Sequence, residues 1–384
     1  MKLFKSLLVA PASLGLLAPM AATANEVTIN DFNAAEEIAV TNSRVDGLEA
    51  RLNNFEAGSF SETTTASFKA AFVLGSEDSD DGSATANDTD DAIQAGYSFG
   101  MKLTTSFTGE DKLVTKFDAG NSKAGSLSEF GLNNTTADAL IVDGISYTFP
   151  IGNYTAFVGD TVDGGSLFTI ACAYGGPSDT LDDCGNVNSA LGSGNGTAAG
   201  ASFDIGNGFT AAIGYTGEGS SQKGLLSKES ADAFGGQLTY TGDSYGLSAT
   251  YANIESNTSA ANSTALADSD VTYWALNGYW TPSESGSMPS ISVGYETGDS
   301  EAASTKDTST FFVGLQWDEV GPGTFGAAMG TTGHISDGAT EYYMYEAFYS
   351  YPVNDGMTIT PGVFIAETAG EDDTGFVVTT SFSF

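Results

Sequence analysis

Positive charge is scarce in this chain: 12 Lys and Arg stand against 49 Asp and Glu in 384 residues, for a formal net charge of −37. Nucleic-acid binding is thereby excluded as a main role, because phosphate contacts need Lys and Arg. Long apolar runs are missing as well. Past the N-terminal segment nothing reaches the roughly 18 consecutive apolar residues that a transmembrane helix needs. Histidine occurs once, as His334 in Gly330-Thr-Thr-Gly-His334, which reads as a solvated loop residue. With no second histidine and no G-x-S-x-G, H-E-x-x-H or phosphate-loop motif, neither an enzyme nor a bound cofactor is expected. The two cysteines, Cys172 and Cys184, fall within one expected loop. No histidine lies near them, so a loop disulfide in an oxidising compartment is expected rather than a metal site.

What is present points to export. Lys2 and Lys5 precede an apolar stretch from Leu7 to Leu17, and Ala22-Thr23-Ala24 supplies a small-residue cleavage site, the pattern of a signal peptide over residues 1–24. Its removal takes two lysines away and brings the formal charge from −37 to −39. Residues 25–62 follow as a polar segment in which Ile38, Thr41, Val45, Leu48, Leu52 and Phe55 step by three and four. That spacing predicts a short amphipathic helix, or a coiled coil if the chain is a homotrimer.

From Thr63 the period changes to two. Ile93, Ala95, Tyr97, Phe99, Met101 and Leu103 alternate with Gln94, Gly96, Ser98, Gly100, Lys102 and Thr104, a strand long enough to cross a bilayer when tilted. About sixteen such strands follow one another to Phe384. The last one, Gly375 to Phe384, puts Phe376, Val378, Thr380, Phe382 and Phe384 on one face and Val377, Thr379, Ser381 and Ser383 on the other. Closure of such a strand against the first removes the exposed edges that lipid forbids. Connections alternate short and long: Gly109-Glu110, Gly152-Asn153, Gly206-Asn207-Gly208, Gly242-Asp243 and Asn354-Asp355-Gly356 have hairpin chemistry, with Pro282–Met288 and Asp318–Gly323 expected to be longer members of the same side. A secreted β-sandwich has no reason to segregate loop lengths in this way. The expected fold class is therefore all-β: a 16-stranded antiparallel transmembrane β-barrel over residues 63–384 with a short N-terminal periplasmic helix.

Charges on the inward faces would line a lumen. Lys69, Lys102 and Lys116 lie opposite the apolar faces of the first three strands at similar height, which predicts a basic strip on one wall. The third long connection, from Asp160 to Gly196, is the longest and carries Asp179, Asp182, Asp183 and the cysteine pair. The alternative is that the lysines pair with inward acids such as Asp118 and Asp204 to balance charge. Glu77, Asp78, Asp80, Asp81, Asp88, Asp90 and Asp91 crowd the first long loop but miss the spacing of a calcium loop, and read as a solvated acidic loop bordering lipid and lipopolysaccharide.

Several stretches resemble a known family. Ser106-Phe-Thr-Gly-Glu-Asp-Lys-Leu113 with Phe117-Asp-Ala-Gly-Asn121, Tyr147-Thr-Phe-Pro150, Trp274-Ala-Leu-Asn-Gly-Tyr-Trp280 with Pro282-Ser-Glu-Ser-Gly286, and Val313-Gly-Leu-Gln-Trp317 are similar, in order, to cyanobacterial outer-membrane porins of the OprB-type carbohydrate-selective family. Arg44-Val-Asp-Gly-Leu-Glu-Ala-Arg51 resembles the helical segment placed before that barrel. The resemblance implies a sixteen-stranded, usually trimeric pore for small hydrophilic solutes and ions, with the third loop folded into the lumen so that its acids face a basic wall. Asn25 to Arg44 is too short for the surface-layer-homology domain that many members carry, and no sugar-binding positions can be matched. The sequence therefore predicts a general diffusion channel in the outer membrane that prefers cations. A plugged structural or receptor barrel is the alternative.

Overall fold

The computed structural model describes residues 63–384 except for 79–91, 122–135, 186–190, 192–195, 220–223, 228–230, 256–269, 283–287, 302–305 and 371. The signal segment 1–24 and the helical segment 25–62 expected from the sequence lie outside the described residues.

The strands are β1 (Thr64–Asp78), β2 (Gln94–Thr105), β3 (Lys112–Gly120), β4 (Ile141–Ile151), β5 (Tyr154–Val162), β6 (Gly196–Gly206), β7 (Phe209–Gly217), β8 (Asp232–Thr241), β9 (Tyr245–Ile254), β10 (Val271–Trp280), β11 (Ser290–Ser300), β12 (Thr308–Val320), β13 (Gly323–Thr331), β14 (Ile335–Ser336), β15 (Tyr343–Asn354), β16 (Met357–Ala366) and β17 (Asp373–Ser383). The two-residue β14 sits in a connection and pairs with the start of β12. The other sixteen form a closed antiparallel barrel in which each strand pairs with its sequence neighbour and β17 returns to β1. The seam aligns Phe72 with Thr380 and Lys69 with Ser383, and the Phe68 and Phe384 backbones exchange bonds of 2.8 and 3.1 Å. Phe384 also stacks on Phe68, with ring centroids 5.4 Å apart. The last residue thus completes the ladder, leaving no open edge at that point.

Alternation decides which face points where. On β1, Phe72 is 55% exposed whereas its neighbour Val73 is 3% exposed. Similar exposed apolar residues recur on the outward faces around the wall, among them Ile213, Leu238, Trp274, Leu276, Val293 and Val363. Inward positions hold Ser248, Thr250, Ser292, Glu296 and Glu346, all buried. This inverts the pattern of a soluble barrel and matches a wall solvated by hydrocarbon outside and by polar groups inside. Aromatic pairs gather toward the short-turn end, including Tyr154 with Phe203, Phe209 with Tyr240 and Trp317 with Phe325. Others, such as Tyr215 with Phe234 and Tyr251 with Trp274, lie toward the long-connection end. Two such belts are what amphipathic rings form at membrane–water boundaries.

One connection differs from expectation. Asp318 to Gly323 is not a longer loop: β12 runs on to Val320, which pairs directly with Gly323 across a tight turn. Glu319 and Gly321 take φ of 60° and 65° there, so the extra residues are absorbed by a bulge and a left-handed turn rather than by a loop. The turn between β2 and β3 has its own organising residue. Asp111 Oδ1 accepts from Ser106 Oγ at 2.8 Å, Phe107 N at 2.9 Å, and Thr108 N and Oγ1 at 2.8 and 2.9 Å. Its other oxygen accepts from Tyr147 Oη at 2.7 Å. Donors converging on one carboxylate, Tyr147 first among them, hold Asp111 well below the usual carboxylate range.

Candidate functional site: a lumen narrowed by the third long connection

The chain between β5 and β6 turns into the barrel and runs along the inner wall. Its backbone N–H groups at alternate residues find side-chain acceptors on β8, β9, β11 and β12. Thr169 N donates to Gln237 Oε1 of β8 at 2.6 Å, Ala171 N to Ser248 Oγ of β9 at 3.1 Å, and Ala173 N to Ser292 Oγ of β11 at 2.9 Å. Gly175 N follows with Gln316 Oε1 of β12 at 3.3 Å. An extended segment offers every second N–H to the same side, which is why one polar side chain per strand suffices to hold it. Buried backbone groups need partners, and the wall provides them.

Glu346 of β15 clamps the apex. The Tyr174 hydroxyl donates to its Oε1 at 2.6 Å and Ser178 N to its Oε2 at 3.3 Å. A Cβ at position 176 would collide with Glu346 Oε1, so the close approach depends on Gly176. Burial and the Glu346 charge push the Tyr174 hydroxyl far above its ordinary value, leaving it a hydrogen-bond donor at any ordinary pH. Beneath the apex, Tyr174, Leu181 and Cys184 pack with the inward residues Val73, Phe312, Met344, Phe348, Phe364 and Val377. Burying Leu181 alone contributes about 1.5–3 kcal/mol to holding the loop in place. The inward apolar residues of these strands are therefore the seat of the loop.

Cys172 and Cys184 are joined by a disulfide with Cα atoms 5.9 Å apart. The bridge ties the returning limb of the loop to the outgoing one around the short turn Asp182–Cys184. Asp183, Cys184 and Gly185 all have positive φ there, at 47°, 73° and 72°, a backbone that the disulfide and the packing of Cys184 must maintain. Asp179 and Asp183 are exposed and Asp182 is half-buried. Burial first, and then the charge of Asp183, raises Asp182 to about 6.

The turn that carries Asp182 and Asp183 touches β11 and β12. Eight pairings around the ring of sixteen separate β11 from β3 and five separate β12 from β1, so these carboxylates stand well around the wall from the lysine-bearing strands. On those strands Lys102 of β2 is the cross-strand partner of Lys116 of β3, and it also faces Ser67, two residues from Lys69 on β1. All three lysines are exposed on the inward side. Lys112, which the sequence reading did not single out, shares the inward face of β3 nearer the short-turn end. Among the described residues none of these lysines has a carboxylate within ion-pair distance. Pairing with Asp118 and Asp204 is thus not what the structure contains. Asp118 lies on the same face as Lys116, with its Oδ1 buried and without a hydrogen-bond partner. Asp204 sits at the short-turn end and accepts from Gly206 N at 2.8 Å.

On the β12–β17 side, a cavity of about 590 Å³ lies between the loop segment Cys172–Pro177 and a wall of Gln316, Thr324, Ser350, Thr360, Thr379 and Ser381. His334 also departs from its reading as a solvated residue. Its Nε2 lies 2.7 Å from Glu296 Oε1 and its Nδ1 3.1 Å from Thr308 Oγ1, with its ring against Tyr273 at 5.4 Å. Glu296 is 1% exposed and faces inward. A polar group on the inner wall thus draws the connection between β13 and β15 inward. Among the described residues no cluster of three or more His, Cys, Asp or Glu could hold a metal ion.

No protein-family model matches the chain. An uncharacterized protein of Nostoc sp. is 26% identical over 420 residues, covering 91% of this chain and 71% of that protein. Among solved structures, the anion-selective porin from Comamonas acidovorans superposes with a TM-score of 0.59 at 12% identity, covering 84% of this chain and 99% of that one. OprB from Pseudomonas putida superposes with a TM-score of 0.58 at 11% identity, covering 84% and 94%. OmpF from Salmonella typhi gives 0.56 at 12%, covering 84% of this chain and 97% of its own. At such identities the likeness concerns architecture, and the architecture is that of the porin-type barrel.

Proposed function

We propose that this chain is an outer-membrane porin: a water-filled channel for passive diffusion of small hydrophilic solutes and inorganic ions, with a net preference for cations. The observation that carries this reading is the inward loop. A barrel serving only as a scaffold needs no segment hydrogen-bonded rung by rung to β8, β9, β11 and β12 beside a polar cavity of about 590 Å³, whereas a size-limiting constriction needs one. Cation preference is supported by the excess of acids, −37 over the whole chain, and by Asp179, Asp182 and Asp183 on the loop, because like charge around a narrow passage repels anions and concentrates cations. Trimeric assembly, contact with lipopolysaccharide, and placement of the N-terminal segment in the periplasm with long connections outside the cell belong to the same reading.

Reconstitution of the mature protein into a planar bilayer tests it. Stepwise conductance with a reversal potential on the cation side in a salt gradient is the expected result. Silence from a folded, heat-modifiable barrel would overturn it in favour of a plugged structural or receptor protein.

A further inference from the structure

The lysines on the inner wall are arranged at a cost. Lys102 and Lys116 are direct cross-strand partners, and like charges directly opposite one another destabilise a sheet. Lys69 stands one diagonal step away, across from Gly100 while Lys102 faces Ser67. Every lysine placed in a described strand lies on β1, β2 or β3. Positive charge is therefore withheld from the rest of the wall and concentrated here. Asp118, two residues from Lys116 on the same face, is half-buried with its Oδ1 lacking a hydrogen-bond partner, and it forms no ion pair with these lysines. Several inward positions around the lysines are small, Ser67, Ser98, Gly100 and Gly144, with Thr104 and Val114 next to them on the short-turn side. Small neighbours leave room above the sheet, and serine hydroxyls add donors to the ammonium groups.

From these positions we infer that Lys69, Lys102 and Lys116 form a saturable station for a small oxyanion such as phosphate, sulfate or bicarbonate. Three ammonium groups on neighbouring inward positions match the charge and acceptor oxygens of a divalent oxyanion better than those of chloride. Occupancy relieves the Lys102–Lys116 repulsion, and a bound oxyanion excludes chloride from the basic side while cations pass along the acidic side. The inference deepens the proposed channel function and rests on it.

The test uses the full mature protein with inorganic phosphate as the probe. In a potassium chloride gradient, added phosphate is expected to raise the cation-to-chloride permeability ratio about twofold and then saturate. Sulfate at equal concentration reproduces the effect, and the double variant Lys102→Gln, Lys116→Gln loses it while still conducting. An effect no larger than that of the same ionic strength of chloride, or one that survives in the double variant, overturns the station. A channel silent in chloride defeats the pore reading alone. Phosphorus NMR of phosphate with the detergent-solubilised barrel then reads the site directly, with line broadening lost in the double variant expected and broadening absent or unchanged counting against it. The double variant, freed of like-charge opposition, should also melt above the parent protein, which separates loss of binding from loss of fold.

Discussion

The Tyr174 hydroxyl donates to Glu346 Oε1 at 2.6 Å across 172 residues of chain, and this bond fixes where the inward loop ends its run along the wall. Removing the carboxylate leaves the Tyr174 hydroxyl and Ser178 N without their acceptor, a cost of about 1–3 kcal/mol per buried group. Glu346→Ala is expected to give larger and noisier single-channel steps, and Glu346→Gln, which retains an acceptor, steps close to those of the parent. Equal conductance in the alanine variant of a folded barrel would show that packing around Leu181 holds the apex unaided.

The disulfide gives a second prediction. Cross-linking two residues 12 apart stabilises a loop by about 3 kcal/mol on chain-entropy grounds. The serine double variant at Cys172 and Cys184 should keep the barrel and its heat-modifiability. Its reversal potential should move toward zero as the turn bearing Asp182 and Asp183 relaxes from its left-handed backbone. An unchanged reversal potential would mean that Phe312 and Leu181 suffice to hold the turn.

Asp182 sets a pH dependence. Its folded value is raised to about 6, above the unfolded carboxylate value of about 3.9, so the ionised form is the disfavoured one in the docked loop. Docking is tightest below the unfolded value. It weakens as pH rises from about 4 to about 6 and is constant above that. Cation selectivity should run the other way, rising between about pH 5 and 7 as the carboxylate ionises around its folded value of about 6. Asp182→Asn should flatten the selectivity profile between pH 5 and 7, and a variant profile that still rises would assign the titration to another group.

Asp111 predicts the opposite sign. Its folded value is depressed, so the stability that it contributes is fully present above about pH 4 and is lost as pH falls through that value toward the folded one. Asp111→Asn should lower the melting temperature at neutral pH, and the gap to the parent should narrow below about pH 4. A gap independent of pH would mean that shape rather than charge organises the turn.

Much of the architecture was legible because a period of two is a local property. Ile93 to Leu103 and Gly375 to Phe384 announce their faces without reference to any partner, and short turns such as Gly206-Asn207-Gly208 mark the hairpins. The third connection was singled out by its length and cysteines, and the basic strip by the lysines on one face of three consecutive strands. Glu346, Gln237, Ser248 and Ser292 were overlooked. Each is one more polar residue on an inward face where polar residues are expected, and the available signal was faint: an acid flanked by Tyr345 and Ala347 in mid-strand. Asp318 to Gly323 was misjudged because a bulge and a left-handed turn are decided by backbone geometry that composition does not display. His334 was misjudged because its partner, Glu296, lies 38 residues away.

By itself the sequence determined the barrel: strand number, the apolar outward face, the alternation of short and long connections and closure through Phe384 all follow from periodicities and turn residues read within about ten positions. The tertiary structure alone decided what occupies the lumen. Asp182 is carried to β11 and β12 because the loop follows a line of acceptors spread over β8 to β15. The bonds that hold the loop join residues 68 to 172 positions apart, and free energies of contact between distant residues leave no periodic trace in the chain.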